Sequence, residues 1–429
     1  MTLTTSRPVQ ATIFTYQVGF GDCILIRFTY SDGNRVHMLN DFGTTGLPED
    51  TERERLVRIA EDIKDKTDGK LDIVIATHRH ADHISGFATK ASGNGPGDII
   101  RSLKPDIVIQ PWTEAPNAAV NALESDINDA PKSMRGRLKA LGAMQSVAAL
   151  VVKKLESRGL KHLPKQLADE ISFIGKDNIS NLSAVKNLMT MGKKNIYAYH
   201  GCDAGLGDLL PEIKVHVLGP PTLKQSETIR KQRSRDADQF WHLTDGRMAA
   251  NEDSSSLFPG HKTRPASKLP TEVRWLAQRL DSAQGDQLLG IVRALDRQLN
   301  NTSLILLFEA GDKKLLFPGD AQIENWSYAL ASPMAEMLDD VDLYKVGHHG
   351  SLNATPKEMW NRFSKKGGKS KPKRLTAVLS TMPGKHGAEK DQTEVPRQSL
   401  LKALQDNSDL HATHLMDPHI LCDIIEIEL

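Results

Sequence analysis

The stretch LDIVIATHRHADH, residues 71–83, constrains the fold of this chain more than any other. A short apolar run rich in β-branched residues reads as a buried strand. Directly behind it, His78, His80, Asp82 and His83 crowd together. A helix would spread four such side chains around its surface, and a strand would send alternate ones to opposite faces. A loop folded at the strand's end brings all four to one point. Imidazole and carboxylate together suit zinc and similar borderline metals and leave coordination positions for water. A surface loop that happens to be histidine-rich is the plainer alternative.

Other segments place this strand among similar ones. Residues 11–46 read as strand, turn, strand, strand: ATIFTYQV, GFGD, CILIRFTY and RVHMLNDFG, with SDGN as a hairpin turn. In residues 49–66, Leu56, Ile59, Ala60 and Ile63 recur at helical spacing on a charged background, which predicts an amphipathic helix. KPDIVIQPW (104–112) and IKVHVLGPP (213–221) read as further strands, the former with Pro105 at its start. Between them, 113–195 is rich in Ala, Leu, Lys and Met and predicts a mostly helical insertion. Residues 222–300 predict a second insertion, irregular and then helical. Strands resume with NTSLILLFEA, the turn GDKK, LLFPGDA, VDLYKVGHHGS and RLTAVLS, and the chain closes with PRQSLLKALQD as a helix and HILCDIIEIEL as a strand. No repeat of fixed period is visible. Two strand-rich halves suggest two stacked sheets, and the expectation is a single domain, 1–429, carrying both insertions.

Composition excludes little. With 429 residues, 39% hydrophobic and 25% charged, the chain reads as an ordinary globular protein. A net charge of +1 neither favours nor excludes a polyanionic partner, because local patches guide partners. Three cysteines (Cys23, Cys202, Cys422) are too few for a disulfide framework and lack zinc-finger spacing, which points to a reducing compartment. The start MTLTTSRPVQATIF has no apolar core of a leader, and no stretch approaches the ~18 apolar residues of a membrane span. A cytoplasmic location away from membranes is the expectation.

Two more strand ends carry chemistry. LLFPGDA ends with Asp320 just behind a glycine, and KVGHHGS ends with adjacent His348 and His349. With these three sites in view, HRHADH resembles the HxHxDH signature of the metallo-β-lactamase superfamily. QVGFGDCILIRF resembles the opening VGxGD strand of its ComEC-like branch, and LNDFG that branch's ID-G strand. NNTSLILLFEAGDKKLLFPGDAQIENW resembles its central hairpin, and DLYKVGHHGS its last histidine loop. The matching segments run in the same order from residue 13 to about residue 404, interrupted by the insertions.

The resemblance implies an α/β fold, a four-layer αββα sandwich with a metal cleft at one sheet edge. It implies two divalent ions, Zn2+ or Mn2+. His78 and His80 would bind one, Asp82 and His83 the second, and Asp320 would bridge both. One of His348 and His349 would complete the second site and the other face the substrate. His348 is taken here as the ligand, the order of the pair staying open. Asp41 would support the histidine loop from behind. Asp82, Asp320, His349 and His386 are the expected catalytic groups, and Ser351 is expected to touch substrate.

Two departures from the family pattern stand out. The third histidine that many members supply to the first metal falls here on Gly219-Pro220-Pro221, with His200 as a substitute candidate. A histidine that the branch often has before a proline is replaced by Val395, and His386 is the candidate for its role. The substrate is legible only through charge. NRFSKKGGKSKPKR (361–374) holds seven basic residues and no acidic one, and KQSETIRKQRSR (224–235) holds five against one. Basic segments near a metal cleft suit a phosphate backbone. Lys365, Lys366 and Lys369 are therefore expected to bind substrate, and a phosphodiesterase or nuclease acting on DNA or RNA is the first reading. The alternative is a hydrolase of a lactone, thioester or β-lactam, with Phe87, Trp112 and Trp326 lining an apolar pocket. A protein partner would dock on the helical insertion.

Overall fold

Alternation of apolar and polar residues produces an opening meander. Strands β1 (Pro8–Tyr16), β2 (Cys23–Tyr30) and β3 (Arg35–Phe42) pair antiparallel, with Ile13 opposite Ile26 and Leu25 opposite Leu39. SDGN turns the chain between β2 and β3, with Gly33 at φ +85°. The helix Arg55–Lys66 follows and buries Ile59, Ala60 and Ile63, as its spacing predicts, but Arg55 is buried in place of Leu56. The Arg55 guanidinium donates to the carbonyls of Gln17, Pro418 and Ile420 and to Oε1 of Gln17, which satisfies a charged group that burial would otherwise penalise.

After that helix the sheet grows by parallel addition. Strand β4 (Ile73–Ile75) lies beside β3, β5 (Ile107–Pro111) beside β4, and β6 (Lys194–Ala198) beside β5. Strand β6 was not expected. Its sequence KNIYA is buried only at its last residue, so it lacks the apolar signal of its neighbours. The helix Leu182–Met191 lies in the segment assigned to the first insertion, and β6 begins at its end and runs past it.

A second sheet repeats this plan. Strands β7 (Ile213–Gly219), β8 (Ile305–Ala310) and β9 (Lys313–Phe317) form an antiparallel meander. Strands β10 (Leu343–Lys345), β11 (Thr376–Leu379) and β12 (Asp409–Ala412) then add in parallel. The last strand, β13 (Cys422–Glu428), returns to the first sheet beside β1. The orders are β13-β1-β2-β3-β4-β5-β6 and β12-β11-β10-β9-β8-β7.

One apolar cluster unites the two sheets. Ile13, Ile26, Met38, Ile73 and Ile109 of the first pack with Val217, Leu306, Phe308, Leu343 and Val378 of the second. Each such fully buried side chain contributes about 1.5–3 kcal/mol. On the second sheet's other face, Leu307, Leu316, Tyr344 and Leu379 pack with Trp326, Met359, Phe363 and Leu404 of helical segments. The arrangement is mixed α/β with two mixed sheets.

This computed structural model describes residues 6–115, 182–222, 224–226, 300–351, 355–387 and 394–429. The chain divides into two compact units, 1–138 with 180–227 and 299–429, and 139–179 with 228–298; all described residues belong to the first. The bodies of both expected insertions, and the basic run 224–235 beyond Ser226, lie outside the described residues. Among the described residues, no helix is long and apolar enough to cross a membrane.

Candidate metal centre

Parallel strands end together, and groups that follow their carboxyl ends converge. Asp41 lies at the end of β3, His78 to His83 follow β4, Asp320 follows β9, His348 and His349 follow β10, and Ser380 follows β11. Three sets of ligand atoms result, each with its members within 4.8 Å of one another: His78, His80 and Asp82; Asp82, His83, Asp320 and His349; and Asp22, Asp41 and His83. The carboxylate common to the first two sets is Asp82, where the sequence placed Asp320.

Asp41 organises the histidine loop. Its Oδ1 accepts from the backbone N–H of Thr77 at 2.7 Å, and its Oδ2 accepts from Thr77 Oγ1 at 2.7 Å and His83 Nδ1 at 2.8 Å. With Nδ1 engaged, His83 turns Nε2 towards Asp320 Oδ2, 3.1 Å away. Because the Thr77 hydroxyl proton goes to Asp41, His78 Nδ1 donates to Thr77 Oγ1 at 3.2 Å, which leaves Nε2 as a lone-pair donor 3.0 Å from His80 Nδ1. The backbone here is held by close approach. A Cβ on Gly43 would stand 2.5 Å from the carbonyl carbon of Asp82, so only glycine lets β3 press against this loop.

The second sheet supplies the other half. Asp320 Oδ1 accepts from the backbone N–H of His348 at 3.0 Å. His348 and His349 both adopt left-handed backbone, φ 43° and 52°, a conformation that costs energy for non-glycine residues and persists only where surroundings enforce it. This conformation sends the two rings apart. His349 donates Nδ1–H to the carbonyl of Ser380 at 3.0 Å and brings Nε2 to 2.9 Å from Asp82 Oδ2. His348 remains a quarter exposed, with Nε2 3.9 Å from Asp320 Oδ2 and Nδ1 2.7 Å from Ser351 Oγ. The pair therefore exchanges the places expected of it: His349 stands among the ligand atoms and His348 beside them. Ser351 meets His348.

Electrostatics follows from burial and crowding. Burial and the neighbouring imidazoles His83 and His80 press His78 well below the usual histidine range. Burial also lowers His80, to about 4, against the pull of Asp82 and Asp320. His83 moves the other way: burial opposes its charge, but Asp320, Asp82 and Asp41 outweigh it and raise it well above 6.5. Burial alone would raise Asp320, yet His83, His348 and His349 hold it well below the carboxylate range. The metal-free site thus sets neutral His78 and His80 beside ionised carboxylates and a protonated His83, whose proton an incoming metal ion would displace. Asp82 Oδ1 is buried and in no hydrogen bond, while His83 Nε2 and Asp320 Oδ2 meet at 3.1 Å. Buried polar atoms are seldom left so. These groups can hold a metal ion.

Two charged residues of the site escaped the sequence reading. Lys345, the last residue of β10, is 1% exposed and pairs with the fully buried Asp22 from the GFGD turn. Each sits in a motif that was read for glycine or histidine. A lysine inside a strand pattern and an aspartate in a turn give no signal that they meet.

Other expected residues lie elsewhere. His386, half-buried, pairs through its backbone with Val395, and His200 places Nδ1 2.7 Å from the carbonyl oxygen of Leu218 with its ring against Tyr328. Neither belongs to the three ligand sets. Phe87, Trp112 and Trp326 are buried: Phe87 packs edge-on against Phe42, Trp112 donates to the carbonyl of Pro221, and Trp326 is fully buried.

The basic segment is at the wrong end of the sheet. Lys365 Nζ reaches Asp342 Oδ1 and the Asp340 carbonyl, each at 2.7 Å, ahead of β10, whereas His348 follows that strand. Extended chain from 342 to 348 spans roughly 15–20 Å. The Lys366 ammonium lies on Trp360 (5.1 Å from the ring centre), and Lys371 Nζ donates to the carbonyls of Ser364 and Lys366. Lys369 is exposed. The structure does not bring these lysines to the ligand sets. The chain matches no protein-family model and no curated protein.

Proposed function

We propose that this chain is a metal-dependent hydrolase with the αββα layering of the metallo-β-lactamase superfamily, and that its substrate is a phosphodiester. The observation that carries the proposal is the pair of buried ligand sets sharing Asp82, built past the ends of parallel strands from two facing sheets. His78, His80 and Asp82 would hold one divalent ion, and Asp82, His83, Asp320 and His349 the other. Mixed nitrogen and oxygen donors fit zinc or manganese. Ions bound there supply Lewis acidity and acidify water.

The residues of the chain do the rest. Asp41 and Ser380 fix the rings of His83 and His349 by engaging their Nδ1 atoms, so that both Nε2 atoms face the cleft. Buried walls exclude bulk water and strengthen each charge interaction. His348, the partly exposed imidazole at the rim, faces incoming substrate, and Ser351 orients it through Nδ1.

DNA or RNA remains the first reading, on the likeness of the motifs to the ComEC-like branch. A small-molecule lactone, thioester or β-lactam is the second, and a specific observation favours it: of the lysines expected to hold a polyanion, Lys365 is engaged by Asp342 and the Asp340 carbonyl and Lys366 by Trp360. Metal-replete protein is to be assayed on single- and double-stranded DNA and RNA, on bis-p-nitrophenyl phosphate, and on a chromogenic lactam and a thioester. Cleavage of the phosphodiesters, lost on chelation, is the expected result. Turnover of the lactam or thioester alone would replace the phosphodiester reading, and no turnover of any would remove the hydrolase assignment.

A further inference from the structure

The third ligand set, Asp22, Asp41 and His83, has a lysine ammonium paired directly with one of its carboxylates. The ammonium of Lys345 is paired with Asp22 Oδ2 and stands 3.9 Å from Asp320 Oδ1. Asp22 Oδ2 is in turn 3.7 Å from His83 Nδ1, which bonds Asp41 at 2.8 Å. Lys345, Asp22, Asp41 and Asp320 are all at most 1% exposed, so these charges are balanced by one another and by the histidines around them rather than by water. Buried carboxylates without a counter-ion are costly, and proteins meet that cost with a paired cation or a metal.

We propose that the Lys345 ammonium is a built-in cation that takes the place of a metal ion on the Asp22–Asp41 side of the centre, so that divalent ions are confined to the two sets sharing Asp82. The inference rests on the metal centre proposed above and adds a residue to it. Lys345 is a positioning residue. It lies against Asp320 Oδ1, the oxygen that also accepts from the His348 backbone, and so leaves Oδ2 facing His83, His348 and His349. Being the last residue of β10, it carries charge from the second sheet onto Asp22 of the first.

The chemistry of the place predicts what removal exposes. Without the ammonium, Asp22 and Asp320 would lose the cation they share, beside a set in which two carboxylates outnumber one imidazole, His83, whose Nδ1 is engaged by Asp41. Such a place suits hard ions, Mg2+ or Ca2+, better than the sets with two histidines do. The test compares wild type, Lys345→Met and the double variant Asp22→Asn/Lys345→Met by thermal unfolding and by calorimetric titration with Mg2+ and Ca2+, each after removal of transition metals. Lys345→Met is expected to be less stable than wild type in metal-free buffer and to gain several degrees on adding millimolar Mg2+ or Ca2+, with one new binding event. Wild type and the double variant should show neither.

A Lys345→Met protein that is as stable as wild type without metal, or that gains nothing from the hard ions, overturns the proposal. So does one that stays unfolded in their presence, because the ion should replace the ammonium; an unfolded variant that folds when Mg2+ is added supports it. Should wild type take up no zinc or manganese at all, the metal centre fails, while the variant's own response to Mg2+ still decides the role of Lys345. Lys345→Arg, which keeps a cation, should respond like wild type.

Discussion

The two ends of the parallel strands carry opposite kinds of polar surface. Past the carboxyl ends of β3, β4, β9 and β10 lie buried histidines and aspartates whose orientations are set by one another. At the other end, Lys314 at the start of β9 and Lys365 reach aspartates and a carbonyl ahead of β10 in partly open settings. Both regions drew attention in the sequence as places for substrate, one for chemistry and one for charge. The difference lies in what fixes an address. A ligand motif that directly follows a strand inherits that strand's direction, and parallel strands bring such motifs to one edge. A run of basic residues in a connecting segment inherits no direction, and its ammoniums take the nearest acceptors.

Removing the shared carboxylate should have the largest effect. Asp82→Ala takes a ligand from both sets, so metal content should fall below one equivalent and turnover by roughly a thousandfold or more. Asp320→Ala touches one set and should leave the His78–His80 ion in place. Elemental analysis of the two variants separates them, and equal loss of both ions in Asp320→Ala would restore Asp320 to the bridging position.

Acid should act on this end of the molecule and spare the other. In metal-free protein His80 stays neutral in the fold down to about 4, while the unfolded chain begins to take up protons near 6.5. Stability is therefore lost as pH falls through that window, by about 3 kcal/mol from this group alone. His83 has the opposite sign: its raised value contributes stability present below about 6.5 and lost as pH rises through the folded value. Chemical denaturation with chelator present should show a maximum near neutrality that declines on both sides. A flat profile from pH 6.5 to 4 would mean that His80 is not desolvated as described.

Asp41→Asn tests the support behind the ligands. It keeps the shape but weakens the acceptor for His83 Nδ1, and metal affinity should drop by about 10–100-fold with the fold intact. Isothermal titration with zinc reads this directly. The smallest effect is expected at the other end. Neutralising Lys365, Lys366, Lys369 and Lys371 should leave turnover of bis-p-nitrophenyl phosphate within about twofold and, if DNA or RNA avoids that end, leave the salt dependence of its binding unchanged. A salt slope that falls by about one unit per lysine would carry the basic segment back into the substrate's path.

How much of this was legible depended on distance along the chain. HRHADH was legible because its ligands are near neighbours behind one strand, although Asp82 and His83 lie in a short helix, Ala81–Ile84, where a loop was expected throughout. Asp320 and the HHGS pair were legible as strand ends. The choice between His348 and His349 was not, since it turns on two successive left-handed residues and on the carbonyl of Ser380 from another strand. Nor was the sharing of Asp82, which depends on His349 arriving from the opposite sheet. Arg55 read as part of the charged background of an amphipathic helix and Lys345 drew no reading of its own, because a sequence does not show which distant carbonyl or carboxylate will meet them. Strand β6 was missed for the converse reason: an edge position asks little apolar character of its residues.

Strands β7 and β8 are adjacent and antiparallel, with Gly219 opposite Ile305, yet the chain leaves one and enters the other some 85 residues later. Closing a loop costs entropy only logarithmically, about 0.6 kcal/mol for each doubling of its length. A connection of two residues and one of eighty thus differ by a few kcal/mol, an amount the shared apolar cluster absorbs. This joint is consequently a place where descent can add or delete a whole segment while the ligand geometry on either side stays untouched.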